Sequence, residues 1–220
     1  MLAKFRAPSP CPIVHYVLVS SLFFRIDSDG PACILRLASP DGTNRLTRAC
    51  VLALTVAIAE LKNGLIDELK KQPRPLVVAG NRQFFSVGAD LNEIAALTGS
   101  EAYQFSAMGQ ALMNALASYP APVIAAIEGH CMGGGLDLAL ACHRRIAAPH
   151  AVFGHRGAAL GLVTGWGGTQ RLPRLIGKSR ALELFVAAEK VSASRALEIG
   201  MVDAIADDPI SAAMRLMHTS

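Results

Sequence analysis

Between residues 47 and 72, Leu54, Ile58, Leu61, Leu65 and Leu69 recur at three- and four-residue intervals, and Pro73 and Pro75 stop the run. This spacing predicts a long amphipathic helix. Upstream, "LFFRID" (22–27) and "ACILRLA" (32–38) flank Asp29-Gly30-Pro31, and turn chemistry between two such runs predicts a β-hairpin. Downstream, "PLVVAG" (75–80) reads as a short buried strand, followed by the loop "NRQFFSVGAD" and a helix from Leu91. The plan repeats with a helix over 100–118, a strand in "PVIAAIEG", a glycine-rich loop and a helix in "GGLDLALAC". Two successive strand–loop–helix units predict an α/β domain with parallel crossovers and a ligand site at the strands' C-terminal edge.

Beyond them, "RRIAAP" and "AVFG" read as strands, and "HRGAALGLVTGWGGTQRLPRLIG" (155–177) as a glycine-dense connection. Helices are expected from Ser179 and from Ala193, the second capped by Ser192 and closed by Gly200.

Composition narrows the class. A chain of 220 residues with 52% hydrophobic and 17% charged residues is expected to form one globular domain. Its charge of +4 is small and scattered, which suits phosphates on a small ligand and gives no case for nucleic acid. The five cysteines (11, 33, 50, 131, 142) include no C-x-x-C pair and sit in apolar surroundings, so they read as reduced packing residues of a cytoplasmic protein. Residues 1–20 carry Lys4 and Arg6 before a short apolar run broken by His15, without a small-residue cleavage site; they read as a loosely attached extension. No uninterrupted apolar segment has the length of a membrane span.

Several motifs are eliminated by counting. "GKS" at 177–179 resembles the end of a phosphate-binding loop, but its first glycine position holds Leu172. There is no G-x-G-x-x-G after a strand and no G-x-S-x-G elbow, and the six histidines lack metal-ligand spacing, so no metal is expected. Two glycine loops remain: Ser86 to Asp90 and His130 to Gly135. Glycine lets backbone N–H groups approach a ligand, and N–H groups at a helix mouth lack intrahelical partners, so two such loops can form an oxyanion hole or can be plain turns.

Four ordered blocks, "NRQFFSVGADLNEI", "APVIAAIEGHCMGGGLDLALAC", "GLVTGWGGTQRLPRLIGKSRALEL" and "SASRALEIGMVD", resemble the crotonase superfamily, the enoyl-CoA hydratase/isomerase family, over about residues 22–208. The resemblance implies a spiral of ββα units with peripheral helices, here residues 21–208, and the start of a shortened C-terminal helical region at 209–220. It also implies an acyl-CoA substrate of fatty acid metabolism, no cofactor beyond the coenzyme A of that substrate, and a homotrimer or hexamer, put in doubt by the short C-terminus. By motif position, the N–H groups of Ala89 and Gly134 would hold the thioester oxygen. Ser86, Gly88, Asp90, Leu91, Gly133 and Trp166 would bind substrate, with Asp90 also placed to cap the helix from Leu91. Arg45, Arg48 and Lys178 are candidates for the CoA phosphates.

The acids depart from the family pattern. Hydratases of the family use two glutamates; Asp137 stands at the first position and Gly157 at the second. Hydration needs one group for the water and a source of the α-proton, whereas one carboxylate suffices to move a proton between carbons, so isomerisation is expected over efficient hydration. His155 is the candidate substitute partner. The alternatives are a non-catalytic acyl-CoA-binding scaffold, or a CoA thioester hydrolase or decarboxylase using His155 and Asp137.

Overall fold

A computed structural model describes residues 16–65 and 72–218. The chain opens with β1 (Tyr16–Ser20), β2 (Phe24–Asp29) and β3 (Ala32–Leu37), an antiparallel meander. Gly30, at φ +54°, makes the expected turn between β2 and β3. Residues 16–20 were expected in a loose extension; instead β1 pairs with β2 from Tyr16↔Ser28 to Ser20↔Arg25, so the sheet begins earlier than residue 21. Residues 1–15 of that expected extension lie outside the described residues.

β4 (Arg45–Leu46) leads into α1 (Arg48–Lys62), whose first turn is capped by Thr47 accepting from the Cys50 N–H. The helix ends ten residues before the expected Gln72, because Asn63 and Gly64 close it, Gly64 at φ +69°. Leu65, expected on the buried face, is 66% exposed, and Leu69 lies outside the described residues.

β5 (Leu76–Ala79) and β8 (Val123–Ile127) are buried at every position, as strands covered on both faces must be. The loops expected after them contain short strands: β6 (Phe84–Ser86) and β7 (Gly88–Ala89) follow β5, and β9 (His130–Met132) follows β8. The first unit therefore has three strands before its helices, and the second has two. α2 (Leu91–Ala95) and α3 (Gly99–Ala117) follow the first unit, α4 (Gly134–Ala141) the second. Asp90 caps α2 through the Asn92 N–H, while Thr98 and Glu101 form a capping box on α3.

The chain continues through β10 (Arg144–Ala147), β11 (Val152–Gly154), α5 (Gly168–Ile176), α6 (Lys178–Ala187), β12 (Val191–Ser192), α7 (Ala193–Glu198), β13 (Ala204–Ile205) and α8 (Pro209–His218). The main sheet runs β1-β2-β3-β5-β8-β10-β13, parallel from β3 onward; a second sheet runs β12-β11-β9-β6, and β4 pairs with β7. One face of the main sheet packs on α1, α3 and α4 in the principal core. The other, with Ile34, Val77, Ile124 and Ile146, is covered by Ala213 and Met217 of α8.

Two polar side chains, buried Arg145 and exposed His143, lock this arrangement. Arg145 donates to the carbonyls of Met201 and Cys142 and pairs with Asp203 at 3.1 Å. His143 accepts from the Val123 N–H at 2.9 Å, holding the entry of β8. The described cysteines are all buried, and burial pushes the Cys50 and Cys142 thiols up to about 12 and raises the Cys131 thiol well above its ordinary range. No described helix is long and apolar enough to cross a membrane.

Candidate active site

Two backbone segments meet at the C-terminal ends of β5 and β8. Ser86 fixes the first: its buried hydroxyl donates to the Asn44 carbonyl at 2.7 Å and accepts from the Gly88 N–H at 3.0 Å. Gly88 has φ +91°, and a Cβ there would lie 2.7 Å from both the Gly134 nitrogen and the Met132 carbonyl oxygen. Gly133, at φ +52°, turns the second segment into α4, so Gly134 presents an N–H without an intrahelical partner. A Cβ on Gly134 would fall 3.3 Å from the Ala89 nitrogen. Two backbone nitrogens are thereby brought side by side, and only glycine permits the approach.

These segments border a cavity of about 820 Å³. Ala89, Leu91, Gly133 and Gly134 line it, as do Asp137, His155 and Trp166. Ser86, Gly88 and Asp90, expected to bind substrate, do not line it. The Ser86 hydroxyl is spent on backbone groups, Gly88 serves the close approach of two chains, and Asp90 caps α2 while pairing with Arg45 at 3.2 Å. The Asn92 N–H, with help from Arg45, holds the Asp90 carboxyl below the usual carboxylate range.

Trp166 is 3% exposed and forms one wall of the cavity. Its indole N–H donates to the Phe105 carbonyl at 3.2 Å, and its ring fills the space beside Gly109 and Gly134, where a Cβ would lie 2.1 and 2.6 Å from indole atoms. Phe105, Ile94 and Leu97 extend an apolar lining away from the glycines. Such a cavity suits an apolar chain carrying a polar group at the glycine end.

Asp137 projects from the first turn of α4 and is 1% exposed. It is the one carboxylate lining the cavity among the described residues. The Thr164 hydroxyl donates to Asp137 Oδ2, and His155 Nε2 stands 3.2 Å from Oδ1. That contact is out of line for a hydrogen bond, so Oδ1 and Nε2 are both buried with no hydrogen-bond partner. The imidazole is held from its other side by Phe185, ring centroids 5.3 Å apart. Gly168, at the start of α5, closes the group: a Cβ there would lie 2.1 Å from Oδ1 and 3.0 Å from Nε2.

At Gly157 the backbone occupies the space a side chain would need. A Cβ would lie 2.6 Å from the Leu162 carbonyl oxygen, and the Gly157 carbonyl accepts from the N–H groups of Leu160 and Leu162. A short 3-10 turn, Ala158–Leu160, results.

The expected phosphate partners lie elsewhere. Arg45 is engaged by Asp41 and Asp90, Arg48 lies over the Phe105 ring, and Lys178 is exposed at the start of α6; none lines the cavity. Exposed Arg156 and Lys190 do line it. Neither had a local signal in the sequence, and neither did Thr164 or Gly168, since each acquires its neighbours only through folding. Among the described residues, no group of three or more His, Cys, Asp or Glu side chains is placed to hold a metal ion.

The enoyl-CoA hydratase/isomerase family model matches residues 29–217. A probable enoyl-CoA hydratase of Bacillus subtilis is 43% identical over 159 residues, 71% of this chain and 62% of the relative. The alpha subunit of the fatty acid oxidation complex of Shewanella halifaxensis is 44% identical over 131 residues, 58% of this chain and 18% of that one. The chain thus spans less than two thirds of either curated relative. Among solved structures, an enoyl-CoA hydratase of Bacillus anthracis superposes with a TM-score of 0.81 at 31% identity, covering 89% of this chain and 75% of that one. Pseudomonas aeruginosa DspI gives 0.82 at 32%, covering 91% and 75%. With its ββα spiral, its paired glycine loops and a family match over most of its length, this chain belongs to the enoyl-CoA hydratase/isomerase family.

Proposed function

We propose that the protein is an acyl-CoA enzyme that stabilises a thioester enolate between the N–H groups of Ala89 and Gly134, and that it isomerises double bonds in preference to hydrating them. The observation that carries this reading is the single carboxylate in the cavity, with the space at Gly157 filled by the Leu162 carbonyl.

In the forward step the Asp137 carboxylate removes a proton from C2 of a 3-enoyl thioester. The electron pair moves onto the thioester oxygen, giving a dienolate held by the two N–H donors, and the protonated Asp137 returns the proton at C4 as the 2,3 double bond forms. Removing one such donor typically costs on the order of 3 kcal/mol of barrier. His155, whose Nε2 lies 3.2 Å from Asp137 Oδ1, would share the proton during the transfer. Hydration would need a second group to activate water, and Gly157 carries none.

The test compares a 3-enoyl-CoA with the matching 2-enoyl-CoA. We expect kcat/KM for isomerisation to exceed that for hydration at least tenfold, and Asp137→Asn to abolish turnover while thioester binding survives. Faster hydration overturns the preference. Thioester binding without any turnover assigns the chain to the scaffold class, and release of free CoA thiol assigns it to the hydrolases.

A further inference from the structure

We infer that Thr164 is a positioning residue that fixes the Asp137 carboxylate, tying down Oδ2 so that Oδ1, the oxygen without a hydrogen bond, is the atom that moves the proton. The inference rests on the reading of Asp137 as the proton carrier.

Asp137 is nearly inaccessible to water, so its oxygens depend on protein donors. Its own backbone N–H is already committed to the Gly133 carbonyl. The hydroxyl of Thr164, 27 residues away in sequence, donates to Oδ2. A carboxylate accepts and does not donate, so this hydroxyl is the donor and cannot turn elsewhere without stranding Oδ2 in a buried site.

The clamp has a geometric consequence. With Oδ2 anchored, the carboxylate cannot rotate to exchange its oxygens, and Oδ1 stays 3.2 Å from His155 Nε2 and against Gly168, where a Cβ would lie 2.1 Å from it. A buried, unpartnered carboxylate oxygen in a ligand cavity is an exception that asks for a functional account, and proton transfer supplies one. The Thr164 methyl contributes as well: Cγ2 would lie 3.0 Å from a Cβ on Gly168, so it packs against that glycine and restrains a side chain already stiff at χ1. Hydroxyl and methyl together hold a single orientation.

The test measures steady-state isomerisation of a 3-enoyl-CoA by wild type, Thr164→Val, Thr164→Ser and Asp137→Asn, with melting temperatures and thioester Kd for each. Loss of a hydrogen bond to a charged acceptor predicts that Thr164→Val lowers kcat at least tenfold, while KM and Kd stay within about threefold. Thr164→Ser, which keeps the hydroxyl, is expected to recover kcat to within about threefold of wild type. Should Thr164→Val fail to fold, Thr164→Ala takes its place against Thr164→Ser. A folded Thr164→Val or Thr164→Ala enzyme with kcat within about threefold of wild type overturns the inference, as does a Thr164→Ser variant as slow as the variant without the hydroxyl. If Asp137→Asn is dead and Thr164→Val is not, this inference alone falls. If wild type turns over no CoA thioester, or Asp137→Asn matches it, the reading of Asp137 fails and takes the role of Thr164 with it.

Discussion

The two walls of the cavity are built on opposite plans. On one, Ala89, Gly133 and Gly134 present backbone, Gly88 permits their close approach, and the Ser86 hydroxyl is turned inward to hold the loop. On the other, the connection from β11 to α5 supplies His155, Thr164 and Trp166, side chains converging on Asp137 and on the glycine pair. The backbone wall offers donors whose position depends on close packing and positive φ, and nearly any change there is structural. On the proposed function the side-chain wall carries the proton chemistry, and it can be altered while the backbone N–H groups stay in place. If the proposed function holds, the difference makes recognition of a thioester and choice of reaction separable in this molecule.

The largest effect tests that separation directly. Asp137→Asn should lower kcat about a thousandfold, within the range for a lost general acid–base group, with the Kd of a CoA thioester changed by about threefold or less. A large loss of affinity would show that the two walls are not separable.

Gly168→Ala comes next. Its Cβ would collide with Asp137 Oδ1 at 2.1 Å, so we expect kcat to fall at least a hundredfold and thermal denaturation to register a loss of about 1–3 kcal/mol. Gly134→Ala acts on the other wall, where its Cβ would meet the Trp166 ring at 2.6 Å. Here stability should fall by a similar 1–3 kcal/mol, but kcat and thioester affinity should decline together, because donor and wall are displaced at once.

Ser86→Ala should be milder. It leaves the Gly88 N–H without its acceptor and is expected to destabilise by about 1–3 kcal/mol in a denaturant titration, with little change in thioester Kd.

The smallest effect lies outside the cavity, at Asp41, where hydrogen bonds from Ser39 and Thr43 and the charge of Arg45 hold the carboxyl near 2, below its ordinary 3.8. A depressed folded-state value means the contribution to stability is present above about pH 4 and disappears as pH falls through about 2. Asp41→Asn should therefore differ from wild type in melting temperature at pH 5 and converge with it toward pH 2.

Much of the fold was legible because its signals are local. The β2–β3 turn, the buried runs of β5 and β8, the Asp90 and Ser192 caps and the break at Gly200 all act within a few residues. α1 ends at Asn63-Gly64, itself a helix-stop signal, while the leucine spacing that predicts a longer helix continues past it. The short strands β6, β7 and β9 left no periodicity, since two or three residues are too few to show one, and they exist only because neighbouring units stack. Glu93, which reads as a solvated helix charge, accepts from the Arg48 N–H across 45 residues of sequence.

By itself the sequence determined the order of the longer strands and helices, the glycines that let two loops meet, and the presence of one acid where the family pattern has two. Periodicity and backbone sterics are properties of neighbouring residues, so those features needed no folded structure to be read. Only the tertiary structure decided that Ser86 faces inward, that the Leu162 carbonyl fills the space at Gly157, and that Thr164, His155 and Gly168 surround Asp137. Those relations join residues up to 42 positions apart, and they arise from the close packing of units whose order, but not whose contacts, is written along the chain.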